Sequence, residues 1–287
     1  MWSVVIDGLV AAVKLGAGKL HSGDETGQGK VRTKMIRGAG MEFRRGMWTE
    51  AWVQGVGARK FVALAVLGEL SIQLAIEWFD VRSSVVFTYV GSFVSTLLWA
   101  CLAYAVHARI LLPNDRSSTM TGARVFGFAL RSFGITIVVG TAFVLGVFIL
   151  ANLIGVWPLV AVLLAVILLG FPLFVWLATL LPAYVAGRTG GVNAAIERGQ
   201  AQFGWIFGRL LIGPYLLFVL SYALYSLLPL PNYANVQFWN EEWVFLPVNL
   251  LGFLLFIMVQ AFVITLTAVI LSRAFLRAEG MPDTAAA

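Results

Sequence analysis

The sequence predicts an all-α fold. It is a polytopic membrane helical bundle of six transmembrane helices, built as three repeated hairpins. Each hairpin is preceded by a short interfacial helix, and an amphipathic helix stands at the N-terminus. Three observations lead there. The 287 residues are 60% hydrophobic and only 12% charged, about half the charged fraction of an ordinary soluble domain, and mean hydropathy is +0.89. The apolar residues gather in six runs, each long enough to supply the roughly 20 residues that cross about 30 Å of hydrocarbon. A short stretch recurs three times at a spacing of 72 residues, and every copy leads into an apolar run; a fixed period of this kind sets an architecture.

The three copies run from Trp48 to Phe61, Met120 to Phe133 and Val192 to Trp205. Ala51, Ala123 and Ala195 align, as do Gly55, Gly127 and Gly199. The first two copies also share Thr49/Thr121, Val53/Val125, Arg59/Arg131 and Phe61/Phe133. Alanine and glycine one helical turn apart let two backbones approach closely, so these six residues are candidate packing positions. In the third copy Val192, Ala195, Ile196, Gly199 and Phe203 share a helical face, with Glu197, Arg198, Gln200 and Gln202 off it. That pattern predicts a short helix on the membrane surface. Only two columns are identical throughout, so coincidence in an Ala- and Gly-rich sequence stays open.

Ahead of the repeats, Trp2, Val5, Ile6, Leu9, Val10, Val13, Ala17 and Leu20 share one face of a helix over 1–20. It reads as interfacial rather than spanning, with a loosely ordered tail as the alternative. Asp7 and Lys14 interrupt any signal-peptide core. A linker rich in Gly, Ser and charge follows over 21–46. The membrane domain covers 47–275, with repeats at about 47–118, 119–190 and 191–275, and a tail occupies 276–287. The spans are predicted at 61–79, 85–106, 133–156, 159–184, 208–229 and 244–272. Nineteen of the twenty Lys and Arg fall in the N-terminal segment, alternate connections and tail, and only Arg82 falls on the other side. The bias toward positive charge inside the cell then puts both termini in the cytoplasm. The far side carries Asp80, Glu241 and Glu242, with Trp157, Trp239 and Trp243 at interface depth.

Several function classes fall away. The net charge of +6 sits at the ends of membrane segments, where topology alone places it, so no nucleic-acid partner is expected. Cys101 is the sole cysteine, and His21 and His107 lie far apart, so neither a disulfide nor a metal site is indicated. No nucleotide-binding glycine loop and no H-E-x-x-H motif occurs, and no cofactor is implied.

The stretch L181-P-A-Y-V-A-G-R-T-G-G-V-N-A-A-I-E-R-G-Q-A-Q-F-G-W-I-F-G-R-L-L211 ends one span on a proline and an aromatic. It then makes a charged turn, forms an Ala-rich short helix and re-enters the membrane. In this pattern the chain, over roughly 47–275, resembles the bacterial six-span proteins grouped as glycerophosphoryl diester phosphodiesterase membrane domain-like, together with the YciC-type proteins. The resemblance implies a bacterial inner-membrane protein without a settled biochemical activity. It carries over no catalytic residue.

Among polar residues, Glu69 falls near the middle of the first span, with Gln73 and Glu77 on the same face. An ionised carboxylate at that depth costs at least about 2.5 kcal/mol and often marks an ion path. The alternative is a structural Glu69 hydrogen-bonded to Asn249, Gln260, Thr141 or Ser221, with Glu77 merely interfacial. Arg124 and Arg131 share a face and are candidates for lipid-phosphate contact, or simply markers of the cytoplasmic side. Gly170-Phe171-Pro172 should kink the fourth span. The expected function is a non-enzymatic integral membrane protein that organises envelope or lipid, or serves as an accessory subunit of a membrane assembly. Its expected partners are anionic lipid headgroups on the cytoplasmic face and other membrane subunits. A small-solute or proton-coupled transporter using Glu69 is the alternative.

Overall fold

A computed structural model of the chain describes residues 46–79, 85–112, 121–155, 157–188, 191–227, 238–239 and 246–280, all in the compact unit Phe43–Ala287. The helix predicted over 1–20, the linker up to Arg45 and the tail beyond Gly280 lie outside these residues. So do Asp80, Arg82, Arg116, Glu241, Glu242 and Trp243.

The described residues are all-α. α1 (Met47–Gly57) turns at Ala58 into α2 (Arg59–Trp78), and α3 (Val85–Leu111) follows. α4 (Gly122–Phe148) runs into a π-helical turn, Ile149–Leu153. The next run is α5 (Pro158–Ala165), a second π turn (Val166–Gly170), α6 (Phe171–Ala178) and α7 (Leu180–Val185). α8 (Gly191–Ala201) turns at Gln202 into α9 (Phe203–Leu210), which passes through a third π turn (Leu211–Tyr215) into α10 (Leu216–Leu227). α11 (Pro247–Ala278) is the longest, with 32 residues. Six runs are long and apolar enough to cross a membrane: Arg59–Trp78, Tyr89–Leu111, Gly122–Asn152, Val160–Val185, Phe203–Ser221 and Pro247–Ala278. The chain is thus built as a multi-pass helical membrane protein.

Local chemistry explains several boundaries. Two of the π turns accompany prolines. Proline has no N–H to donate, and its ring collides with the carbonyl four residues back, which a widened turn accommodates. Pro214 lies inside the third π turn, and Pro172 is the second residue after the second. The N–H of Phe171 reaches back five residues to the carbonyl of Val166, and that of Leu216 to Leu211. Where the sequence predicts a kink, at Gly170-Phe171-Pro172, a π turn over Val166–Gly170 passes into α6. α7 ends on Gly187, whose φ of 69° suits a residue without Cβ. There the N–H of Arg188 bonds the carbonyl of Ala183 at 2.9 Å and that of Gly187 bonds Tyr184 at 3.1 Å.

α1 and α8 are alike. Each has 11 residues, and they begin at Met47 and Gly191, two repeat periods apart. The turn at Ala58 has φ −96° and ψ 17°, and that at Gln202 φ −110° and ψ 12°. Ala58 N–H bonds Gln54 O at 2.8 Å, and Gln202 N–H bonds Arg198 O at 3.1 Å. The second copy differs. The short helix predicted ahead of the third span is not separate, because α4 is continuous from Gly122 and the third span begins eleven residues earlier than predicted. Thr121 starts it as N-cap, its Oγ1 accepting from Arg124 N at 3.4 Å. Ala51 and Ala195 are wholly buried, whereas Ala123 is exposed. Phe128 and Ala129 pack into the core from within the continuous α4, and Ala129 and Leu130 at the equivalent break favour an unbroken helix.

The core sits toward one end of the bundle, here termed the basic end, where α1, α7, α8 and the C-terminal turns of α3 and α11 meet. Every residue from Ala268 to Leu276 is buried, as are Tyr104 to Ala108. Of the most apolar stretch of each helix, 44% is buried in α11 but 6% in α2. Toward the opposite ends Trp78, Phe79, Tyr89, Phe148 and Val248 are exposed.

Candidate functional site

The densest polar chemistry lies inside the basic end. α1 is amphipathic in the inverse sense to a soluble helix. Glu50, Ala51, Gln54 and Ala58 turn inward and are buried, while Trp48, Trp52, Val53 and Val56 face out. Lipid accepts an apolar face without cost, so an arrangement with polar residues inside fits a helix bathed in lipid. Trp48 stacks on Phe262 of α11 at 6.0 Å between centroids.

The inward face of α1 is matched by α11 and α3. Arg273 donates to Glu50 Oε1 through Nε at 2.8 Å and again through Nη2, and the two side chains are 5% and 7% exposed. Arg109 Nε donates to Gln54 Oε1 at 3.2 Å. His107 Nδ1 and Ser272 Oγ share a hydrogen bond of 2.7 Å. That distance suits a nucleophile and its base. His107 is only 1% exposed and Ser272 0%, however, and Phe128 packs on the imidazole at 5.6 Å. The pair therefore joins α3 to α11 and has no substrate access. Thr179 Oγ1 donates to Ala195 O at 2.9 Å, holding α8 to the end of the fourth span.

Arg198 of α8 lies 3.7 Å from Glu279 and over the Phe275 ring at 5.3 Å. Its Nε and Nη2 are buried without a hydrogen-bond partner among the described residues. Desolvation by burial pulls its pKa below the usual guanidinium value, while Glu279 and Glu197 act in the opposite sense. Further out, Arg209 and Arg277 both lie over the Trp205 ring, at 3.9 and 5.1 Å. Cation–π pairs at exposed sites contribute about 0.5–1 kcal/mol each.

The residues singled out from the sequence lie mostly apart from this layer. Glu69 is half-buried and accepts a hydrogen bond of 2.6 Å from Ser95 of α3. Ser95 thus takes the place expected for Asn249, Gln260, Thr141 or Ser221. Gln73 is half-buried on the same helix. Glu77 Oε1 accepts from the backbone N–H of Phe238 at 2.6 Å and of Trp239 at 3.1 Å. It anchors the segment before α11 to the end of α2, so Glu69 and Glu77 serve different contacts. Arg124 is exposed in the first turn of α4. Arg131 lies 3.9 Å over the Tyr184 ring and donates to Gly127 O at 2.9 Å.

The repeat glycines differ in tightness. A Cβ on Gly55 would meet Thr265 Cγ2 at 3.7 Å, an ordinary contact. On Gly127 it would strike the Tyr184 hydroxyl, the mobile tip of a side chain. On Gly199 it would come within 2.6 Å of Trp176 Cα and 2.8 Å of Val175 O, both backbone. Close backbone approach therefore holds for Gly199 alone of the three.

Sequence reasoning passed over Glu50, Gln54, His107, Arg109, Ser272 and Arg273. One signal was available: Arg273 has Leu271 before it and Ala274, Phe275 and Leu276 after it, so the apolar run does not stop at the charge. Among the described residues no three His, Cys, Asp or Glu are placed to hold a metal ion. No protein family, curated protein or solved structure matches the chain.

Proposed function

We propose that the chain is a non-enzymatic, lipid-organising protein of the bacterial inner membrane, or an accessory subunit of a membrane assembly there. In this reading it is built from three hairpin repeats, related to the six-span families that its pattern resembles. Both termini lie in the cytoplasm, so the basic end is the cytoplasmic end. One observation carries the proposal: the reactive polar groups of that end are tied to each other between helices, as in Glu50–Arg273 and His107–Ser272. At the rim the half-buried Trp205 pairs with Arg209 and Arg277, while Arg124 and Arg188 are exposed. Inward locking suits a scaffold, and an outward rim of arginine and tryptophan suits a headgroup layer. The matching geometry of α1 and α8 supports the repeat. Purification in native lipid discs followed by mass spectrometry should show retained anionic phospholipid or a stoichiometric partner chain. A lone chain free of both would overturn the reading.

Topology has its own test. In a Cys101→Ser background, Asn240→Cys should react with an impermeant thiol reagent from outside the cell, and Gly190→Cys should not. The reverse pattern would place the basic end outside.

Glu69→Gln separates this reading from the transport alternative. The amide keeps the size and still accepts from Ser95 while losing the titratable proton. Under the scaffold reading the variant matches wild type in expression, thermal stability and cell growth. A folded variant that loses the cellular phenotype of the wild type would favour transport.

A further inference from the structure

Between α4 and α11, bordered by α6, α9 and α10, lies a cleft of about 510 Å³. That falls within the roughly 300–1,000 Å³ of sites that take small organic ligands. Its walls are apolar, with Phe143, Phe171, Phe174 and Phe218 prominent. Thr136 and Thr267 also line it, but their hydroxyls donate to Ser132 O at 3.0 Å and Val263 O at 2.8 Å, within their own helices. The second and third π turns both border the cleft, through Gly170 and through Pro214 and Tyr215. Two bare positions widen it: a Cβ on Gly140 would meet nothing within 4 Å, and one on Gly170 only Ala165 O at 3.8 Å. At the basic end α7 packs on α3, α4 and α11.

Water has few groups to bridge here, and apolar hollows do not hold it well. The cleft lies along helices long enough to span a bilayer, so the fluid at hand is hydrocarbon. Charge fixes the other end of the occupant. Among the described residues of the basic end the exposed charges are Arg59, Lys60, Arg124, Arg131 and Arg188 against Glu197 alone. We infer that the cleft holds one acyl chain of an anionic phospholipid whose headgroup lies at the basic end. The inference rests on the lipid-organising reading and gives it a site. The widened turns serve it by holding helix walls apart where close packing would otherwise fill the space.

The test uses the full chain in vesicles of phosphatidylethanolamine and phosphatidylglycerol, doped with phosphatidylglycerol that carries a photoreactive diazirine on its acyl chain. Peptide mass spectrometry locates the adducts. Labelling should concentrate on the cleft walls, at 136–143, 166–174, 210–218 and 263–267, above that on the exposed Leu251, Leu255 and Met258. Gly140→Phe, which fills the cleft from an open position, should lower cleft labelling by about tenfold. Gly170→Leu should do the same from the opposite wall. Gly134→Phe, equally open but off the cleft, should leave labelling unchanged. Labelling spread evenly over the apolar surface would overturn the inference, as would Gly140→Phe and Gly170→Leu variants that label like wild type. Equal labelling by a phosphatidylcholine probe with the same tail would overturn the anionic assignment. An unlabelled cleft in a chain that native mass spectrometry shows as a dimer would give the groove to a second copy. An unlabelled cleft with anionic lipid still retained on purification sinks the acyl site alone, whereas loss of both sinks the proposed function with it.

Discussion

Arg273→Met is expected to lower the stability of the protein by about 3–5 kcal/mol, read as a fall in the midpoint of denaturant unfolding in detergent. Methionine fills most of the volume of the arginine stem. What it removes are two donors to Glu50, whose side chain is 7% exposed in the wild type. A buried charge without its partner is far more costly than the pair was worth, because desolvation is no longer offset. The double change Glu50→Leu with Arg273→Met removes both charges and should recover most of the loss. If Arg273→Met unfolds at the wild-type midpoint, the pair is hydrated and the polar layer is not the tie described above.

Gly199→Leu is expected to destabilise by about 3 kcal/mol, and Gly55→Leu by much less. The difference follows from what each glycine faces. A side chain on Gly199 meets the backbone of Val175 and Trp176, which cannot turn aside, so α8 must lift from α6. Lifting α8 also strains the bond from Thr179 to Ala195 O. A side chain on Gly55 meets only the methyl of Thr265. Unfolding midpoints of the Gly55, Gly127 and Gly199 variants, measured side by side, check the order. Equal losses at Gly55 and Gly199 would restore a common packing role for the repeat, and no loss at Gly199 would remove it.

The spans were legible because hydrocarbon thickness is a constraint on length and composition alone. The turns at Pro172 and Pro214 were partly legible, since proline announces its own missing donor. Glu69 stood out as a charge in an apolar run, but its partner did not. Several hydroxyls and amides lie at similar depth, and only the rotation of α3 beside α2 selects Ser95. Glu50 and Arg273 were hidden for a related reason. Their separation of 223 residues leaves no pattern in either stretch, and at a membrane boundary each reads as an ordinary topology marker. The outward tryptophans of α1 show the same limit. A pattern of apolar and polar residues names two faces of a helix, but the neighbours decide which one turns in.

The dominance of α11 in the core has a consequence for biosynthesis. α11 leaves the ribosome after the other five described spans, yet it supplies the counter-surface for α1 and much of that for α3. α1, α2 and α3 can be threaded into the bilayer early, but they cannot reach their final register until α11 has emerged. At about 5–20 residues per second, the 223 residues between Glu50 and Arg273 keep that carboxylate waiting for roughly 10–45 s. During this interval Glu50 must stay in the aqueous headgroup layer, or be shielded by an insertase. A chain truncated before α11 would therefore lack the two donors that Arg273 gives Glu50 and leave open the small-residue face of α1. Such a chain would expose surface that the finished fold buries.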